Sequence, residues 1–145
     1  KSMSFGESHN YMHKQIGFNY RMTNSQASMI LDSLHNVEKN IELRKRNESL
    51  YDSLIGEQYR MPKRNVPWGY DIKVKDNNIV DVLRYERNIP ARYGFKPVGM
   101  CAPFHIDATN TNAFKLSKNI MYLPVDPHLG EKEIKNIVLN LKELL

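Results

Sequence analysis

The side chains best suited to chemistry are concentrated in residues 13–26, which read HKQIGFNYRMTNSQ. Gly17 permits a close backbone approach that a side chain would block. Asn19 stands between Phe18 and Tyr20, whose rings can bury themselves and fix the direction of the amide. An amide held in this way can donate to a phosphate or carboxylate oxygen.

A helix start follows this amide directly. Thr23, with Gln26 three residues later, has the form of a capping box. Backbone N–H groups at a helix start, together with Asn19 and Arg21, suit a bound phosphate or carboxylate. The same pattern also fits an ordinary connection from a loop into a helix with a buried tyrosine, and spacing does not choose between the two.

The element that must position this segment is a long helix. From residue 24 onward, apolar residues recur at steps of three and four, which predicts one helical stripe. The stripe comprises Ala27, Ile30, Leu34, Val37 and Ile41, and continues through Leu50, Tyr51 and Leu54. Gly56 is a natural stop. A helix of about thirty residues would reach ~45 Å, so we expect it to bridge two domains.

The second half of the chain predicts a small sheet. Trp68, Tyr70, Ile72 and Val74 alternate with polar residues, which is typical of a strand with one buried face. Residues 79–87 read as a short helix, 89–98 as an edge strand interrupted by two prolines, and 120–123 as a short strand. A second amphipathic helix ends the sequence. The predicted class is therefore α+β, with a long bridging helix followed by a small antiparallel sheet flanked by helices.

Length and composition set outer limits on the function. A chain of 145 residues fits one modest domain or a piece of a larger protein. No apolar run approaches the ~18 residues of a membrane span, so no membrane partner is expected. The lone Cys101 excludes an internal disulfide and fits a reducing compartment, so we expect a cytoplasmic protein. The five histidines do not cluster with carboxylates at metal-ligand spacing, and no metal is predicted.

The net charge of +5 raises the alternative of a basic nucleic-acid-binding module. The basic runs at residues 42–48 and 61–64 are the candidates for such a surface. Acidic residues interrupt the chain around both basic runs. Aromatic residues do not alternate with the lysines and arginines there, as they do in proteins that bind single-stranded nucleic acid. A solvated helix face is the favoured interpretation, and no nucleic-acid partner is expected.

Several runs together resemble the DegT/DnrJ/StrS family. GFNYRMTNSQAS is similar to the signature G-(Y/F)-N-(Y/F)-R-M-(T/S)-(N/D)-x-Q-A-A, and the resemblance continues in VPWGYDIKV, NIPARYGFKPV and NIMYLPVDPHLGEKEIKNIV. That family comprises pyridoxal-phosphate (PLP) aminotransferases that act on nucleotide-linked keto sugars. The resemblance implies a PLP enzyme of fold type I. Residues 1–22 would end the large cofactor domain, 23–56 would form the bridging helix, and 57–145 would form the C-terminal small domain.

The resemblance also implies roles for single residues near the cofactor. Asn19 would cross a homodimer interface and donate to the PLP phosphate of the neighbouring subunit. Arg21 would either pair with a phosphate or carboxylate or lock the helix start to the neighbouring subunit. For Tyr20, packing is favoured, although its hydroxyl could reach the cofactor region. His13 matches a histidine common before the family motif, and a structural role is favoured for it.

On the substrate side, Arg92 matches the arginine of the family's G-I-x-x-R segment, where it would meet the nucleotide or acid substrate or brace the domain. Phe95 and Lys96 match the F-x-P that follows and are expected to line the substrate approach. Gly99 stands where the family often has a histidine, so no substrate role is assigned there. Trp68 and Tyr70 are interpreted as core residues rather than stacking platforms.

No catalytic residue is assigned within this chain. In the family, the lysine that bears PLP lies in a Ser-x-x-Lys segment followed by Gly-Glu-Gly-Gly, and no lysine here has that setting. The chain would be the C-terminal part of such an enzyme and inactive alone. The intact enzyme would move an amino group, with glutamate as the expected donor, to the 3- or 4-keto group of a nucleotide-diphosphate sugar. A dehydratase branch, and a non-catalytic remnant or split subunit that dimerises without cofactor, remain open.

Overall fold

Five helices and three short strands make up the part of the chain that the computed structural model describes, which is residues 16–18, 20–102, 104, 106–107, 109 and 111–145. The helices are α1 (Asn24–Leu34), α2 (Val37–Leu54), α3 (Ile79–Asp81, continued by a π-helical turn at Val82–Glu86), α4 (Asn112–Ser117) and α5 (Glu131–Lys142). The strands are β1 (Tyr70–Lys73), β2 (Arg92–Tyr93) and β3 (Ile120–Leu123). Single 3₁₀ turns lie at Glu57–Tyr59 and Val98–Met100.

The sheet has the order β1-β3-β2, and the central strand β3 is antiparallel to both neighbours. The starts of β1 and β2 therefore meet the end of β3 at one end of the sheet, which we call the Trp68 end. The ends of β1 and β2 meet the start of β3 at the opposite end, which we call the Lys118 end. At this second end Gly94 donates to the carbonyl of Ile120 (2.9 Å), and a Cβ at Gly94 would lie 2.9 Å from that oxygen, so the close approach requires glycine.

One face of the sheet is covered by α2 and α5. Side chains of both helices and of alternate strand positions form one apolar cluster, which includes Ile72, Met121, Ile134 and Leu141. Tyr51 of α2 stacks on Tyr70 of β1 with ring centroids 4.7 Å apart. The Tyr51 hydroxyl donates to the carbonyl of Pro124 (3.0 Å), so the phenol is satisfied although the ring is fully buried.

A buried amide fixes α2 against the loop that precedes α5. The Asn47 side chain donates to the carbonyl of Asp126 (2.8 Å) and accepts two hydrogen bonds from the guanidinium of Arg46. Arg46 in turn donates to the carbonyl of Leu129 (2.9 Å). The buried side chain of Asn47 therefore has its hydrogen-bond partners, and the exposed Arg46 binds the same loop at Leu129.

The α+β class with a small antiparallel sheet flanked by helices is confirmed. The strand at 120–123, the short helix from Ile79 and the final amphipathic helix lie where the sequence predicts them. The edge strand at 89–98 is reduced to Arg92–Tyr93. Two prolines within the predicted stretch, at 90 and 97, lack the N–H that a longer ladder needs.

The single long helix predicted from residue 24 is instead two helices, separated by His35 and Asn36. The capping box at its start is present, with both Thr23–Gln26 hydrogen bonds formed. At the break, Asn36 has φ −108° and ψ 8°, outside the helical region. One turn earlier the hydroxyl of Ser33 donates back to the carbonyl of Met29 (2.9 Å), a bond that bends helices.

No helix was predicted from the sequence where α4 lies. Its start is nevertheless capped, since the Thr111 hydroxyl accepts from the N–H of Phe114 (3.1 Å). None of the helices in the described part of the chain has the length and apolar character that a bilayer crossing requires.

Candidate functional site: the outer face of the sheet

The face of the sheet opposite the core carries a cluster of three aromatic rings. Trp68, just before β1, stacks on Phe95 with ring centroids 5.9 Å apart, and meets the edge of Tyr122 at 5.4 Å. Phe95 and Tyr122 lie 5.8 Å apart and complete the triangle. Trp68 and Phe95 are 44% and 53% exposed, whereas Tyr122 is buried beneath them. Trp68 and Phe95 therefore present apolar surface to solvent, with Tyr122 as its base.

Strand pairing explains how polar groups come to surround these rings. In the sheet register Tyr122 of β3 lies opposite Asp71 of β1 on one side and Arg92 of β2 on the other. Residues directly opposite on neighbouring strands point to the same face. A row of Asp71, Tyr122 and Arg92 therefore crosses the sheet on its outer face.

Three arginines border the aromatic cluster. The guanidinium carbon of Arg92 lies 5.7 Å from the centroid of Trp68, and that of Arg64 lies 5.8 Å from the centroid of Tyr122. Arg44 of α2 donates to the carbonyls of Pro67 and Trp68 (3.4 and 3.3 Å). The distances of Arg92 from Trp68 and of Arg64 from Tyr122 lie within the range of cation–π interactions. Such an interaction orients a guanidinium without neutralising its charge.

Asp71 is the acidic member of the row. Its Oδ2 pairs with Arg64 at 2.8 Å, while its Oδ1 is buried without a hydrogen-bond partner among the described residues. Burial raises the pKa of the Asp71 carboxyl, and the neighbouring Arg64 opposes that rise. Burial likewise raises the pKa of the Tyr122 phenol, and Asp71 adds to the rise. Arg64 lowers the pKa of both groups and so opposes the effect of burial, and its ion pair with Asp71 favours the charged carboxylate.

A cavity of about 330 Å³ opens at the Trp68 end of the sheet, bordered by Arg44, Trp68, Arg92, Tyr122 and Asp126. Its size lies at the lower end of the range for small-molecule pockets. Arg64 is committed to Asp71, whereas Arg92 forms no ion pair within the described part of the chain. The arrangement therefore suits an anionic molecule with a ring or sugar face, the anion at Arg92 and the face on Trp68 and Phe95.

The three substrate residues predicted from the sequence do not lie together. Arg92 and Phe95 share the Trp68 ring, one over its face and the other stacked beside it. Lys96 turns away to the Lys118 end of the sheet, where its ammonium lies 5.6 Å from the ring of Tyr93. The substrate roles of all three stay predictions, but their geometry divides them into two groups.

The predicted cofactor segment has a different character. Tyr20 and Arg21 are both exposed, and Arg21 takes part in no ion pair among the residues described. The ring of Tyr20, 76% exposed, lies 6.1 Å from that of Phe18. The packing and cofactor roles of Tyr20 both stay predictions. Asn19 and His13 lie outside the described residues, and their roles stay predictions.

Sequence reasoning missed several members of the site. Trp68 was expected in the core, as Tyr70 is, but it precedes β1 and lies on the outer face. Arg44 belongs to the basic run that was interpreted as a solvated helix face, yet it bonds two carbonyls of the chain beside Trp68. Asp71 and Tyr122 lie in two of the runs that resemble the family, but neither was given a role there. The alternation around Asp71 could have placed it on the outer face, but only the strand order brings it to Tyr122.

Comparison with known protein families identifies one family. The model of the DegT/DnrJ/EryC1/StrS aminotransferase family matches residues 1–142. No curated protein sequence matches the chain.

Solved structures share the fold. Spr1654 from Streptococcus pneumoniae, in its PMP form, has a TM-score of 0.75 and 21% identity over 94% of this chain and 39% of its own. A DegT DnrJ EryC1 StrS aminotransferase from Brucella abortus has a TM-score of 0.68 and 20% identity over 98% of this chain and 40% of its own. PseC from Helicobacter pylori, an aminotransferase involved in the biosynthesis of pseudoaminic acid, has a TM-score of 0.66 and 18% identity over 90% of this chain and 39% of its own. The chain spans about two fifths of the length of these structures.

Proposed function

The chain belongs to the DegT/DnrJ/EryC1/StrS aminotransferase family, and on that basis we propose that it is the C-terminal part of a PLP-dependent aminotransferase acting on a nucleotide-linked keto sugar. The observation that carries the substrate side of this proposal is the guanidinium of Arg92 over the exposed ring of Trp68. The amino donor would be an amino acid, with glutamate proposed. The cytoplasmic setting proposed for the reaction rests on the use of a single cysteine.

In this proposal the outer face of the sheet is one wall of the sugar-nucleotide site. Arg92 would hold a phosphate of the diphosphate, because its guanidinium is always charged and can bind two oxygens at once. Trp68 and Phe95 would pack on the face of the sugar or base and exclude water from it. Tyr122, with its hydroxyl on the backbone of Phe95, would keep that residue in position.

The segment before α1 would serve the cofactor. Tyr20 and Arg21 are exposed just before a capped helix start, and donors of this kind fit a phosphate. Asn19 would donate to the PLP phosphate across the interface of a homodimer, with Arg21 and Tyr20 beside it. When bound, PLP supplies the electron sink for amino transfer. The residues of this chain would orient its phosphate, and the lysine that binds it covalently would lie outside these 145 residues.

This division of labour predicts that the 145-residue chain alone does not bind PLP covalently. After incubation with PLP and reduction with borohydride, mass spectrometry of the purified chain is expected to find no stoichiometric pyridoxyl group on any lysine. The reason is that no lysine here has the setting that the Schiff base requires. A stoichiometric adduct at one lysine would contradict the prediction, whereas scattered substoichiometric labelling of exposed lysines would not.

The substrate wall can be tested through Trp68, which is the single tryptophan of the chain. Titration with UDP-N-acetylglucosamine, used as a stable nucleotide-diphosphate sugar, is expected to change Trp68 fluorescence saturably. Replacing Arg92 with alanine should weaken this binding about tenfold, because a hydrogen-bonded charge contributes about 1.5–3 kcal/mol.

Arg87→Ala is the matched control for Arg92→Ala. Arg87 is an exposed arginine that pairs with Glu143 on another side of the molecule (3.1 Å), and its loss is expected to leave the titration unchanged. A flat fluorescence titration, or equal affinities for the Arg92 and Arg87 variants, would remove the sugar-nucleotide wall from the proposal. The family membership would stand in either case.

A further inference from the structure

A second and larger cavity lies at the Lys118 end of the sheet, away from Arg92. Its volume is about 630 Å³, within the range of sites that hold nucleotide-sized molecules. Residues from three separated parts of the chain form its walls: Lys75 after β1, Tyr93 and Lys96 at and after β2, and Lys118 before β3. The proposed sugar-nucleotide wall makes no use of this cavity.

Two asparagine side chains hold the walls of this cavity together. Asn77 is buried, and its amide donates to the carbonyls of Ser117 (2.7 Å) and Ile120 (2.8 Å). Asn119 donates in the opposite direction, to the carbonyls of Val74 (3.1 Å) and Lys75 (2.6 Å). The segments that carry Lys75 and Lys118 are therefore cross-braced, and the cavity is built by the fold rather than by mobile surface side chains.

The lysines of the cavity lack acidic partners. Among the described residues, neither Lys96 nor Lys118 has a carboxylate within ion-pair distance. Each ammonium instead lies near an aromatic ring, Lys96 at 5.6 Å from Tyr93 and Lys118 at 4.5 Å from Phe114. Burial, and then the proximity of Lys118, lower the pKa of Lys96, and Asp76 opposes this shift only in part.

The acidic residues around the cavity are already engaged. Asp76 accepts from the backbone N–H and the side-chain amide of Asn78, both at 3.0 Å. Asp81 accepts from the hydroxyl of Tyr93. These bonds hold the two carboxylates in place but do not neutralise them, and Asp76 acts electrostatically on Lys96. Three lysines, Lys75, Lys96 and Lys118, nevertheless outnumber the two aspartates around the cavity, so a net positive charge is left for an anion from solution.

We propose that the cavity at the Lys118 end binds a phosphate-bearing small molecule, with its phosphates between Lys96 and Lys118. Two ammonium groups near one another favour an anion of more than one charge, and a diphosphate has both the charge and the span. The exposed ring of Tyr85 at the rim, 69% accessible, offers a surface for a nucleoside attached to those phosphates. This site lies at the opposite end of the sheet from the proposed sugar-nucleotide wall, and it gives Lys96 a different ligand from the substrate approach predicted for it from the sequence.

The experiment is a titration of the ¹⁵N-labelled chain with inorganic pyrophosphate and, in parallel, with UDP. Saturable amide shifts are expected at residues 75–78, 96 and 118–119, and both ligands should bind more weakly as salt is raised. Equal affinities would assign the phosphates alone as the recognised group. Tighter binding of UDP than of pyrophosphate would mean that the nucleoside is recognised as well as the phosphates. Either result supports the proposed site.

The double variant Lys96→Gln/Lys118→Gln tests the assignment of the charges. It should weaken pyrophosphate binding at least about tenfold, because charge-assisted contacts are lost at both positions. Lys115→Gln is the control and should bind like the parent, because Lys115 is an exposed lysine of α4, the helix that ends just before Lys118, and does not border the cavity. Unchanged affinity in the double variant, or shifts confined to the Arg92 face, would overturn the proposal. Unchanged thermal melting of both variants would show that lost binding is not lost folding.

Discussion

Replacing Leu141 with alanine is expected to lower the free energy of unfolding by about 2–5 kcal/mol. Leu141 is fully buried on the face of α5 that packs against α2 and the sheet. Alanine keeps the helix, since its helix propensity is at least as high, but it leaves a cavity that the surrounding side chains fill only in part. Urea unfolding followed by circular dichroism, with Trp68 fluorescence as a second probe, measures the loss.

Leu139→Ala, two residues earlier on the same helix, is the matched control. Leu139 is 61% exposed, so the substitution removes a similar side chain from solvent rather than from the core. Its expected effect is within about 0.5 kcal/mol. Similar losses at the two positions would mean that α5 does not present the Leu141 face to the core, and the packing of α2 against α5 would need revision.

Replacing Asn77 with leucine is expected to be the second most damaging change. The side-chain amide of Asn77 donates to the carbonyls of Ser117 and Ile120. With leucine, the Ile120 carbonyl would still accept from the N–H of Gly94, whereas the Ser117 carbonyl would lose this donor. A buried carbonyl left unsatisfied costs about 1–3 kcal/mol. The measurement is again urea unfolding, together with amide hydrogen exchange at residues 117–120, which should lose protection.

The neighbouring Asn78 provides the control. It is exposed, and its hydrogen bonds go to Asp76 within the same turn. Asn78→Ala should therefore shift the free energy of unfolding by no more than about 0.5 kcal/mol. If Asn77→Leu were as mild as Asn78→Ala, the cross-bracing of the cavity at the Lys118 end would be wrong, and with it the rigid walls on which the phosphate site depends.

The parts of the fold that the sequence predicted are those in which a local pattern and burial agree. Tyr70 and Ile72 alternate with polar residues and are buried on one face, so the pattern located β1. The stripe on α5, which includes Ile134 and Leu141, is buried in the same way. In both elements the periodicity of the sequence identifies an apolar face, and that face is the one buried in the structure.

The first helix shows where the same reasoning stops. The stripe through Ile30 and Leu34 is periodic too, although less strongly than that of α5, yet α1 has no buried residue. Periodicity reports that a face is apolar, but it does not report what covers that face. Without such contacts among the residues that the structure describes, local effects at Ser33 and Asn36 decide where the helix ends.

The candidate site was predictable only in part, for a related reason. Arg92 and Phe95 were found because they lie in a recognisable run, and they do lie together. Lys96 follows in the same run but faces the other end of the sheet. Tyr122 became part of the site because β3 pairs with strands on both sides, and a pairing of this kind is a long-range event that no local pattern encodes.

The central position of β3 also determines when this domain can fold. The hydrogen bond from Asn47 to Asp126 joins residues 79 positions apart, and that from Tyr51 to Pro124 joins residues 73 apart. Neither β1 nor β2 has its partner strand until β3 has been synthesised, and the core remains open until α5 follows. Ribosomes add about 5–20 residues per second, so the earlier half would wait several seconds with its apolar faces uncovered. A topology rich in such distant contacts folds slowly, and we expect the nascent domain to depend on chaperones during that interval.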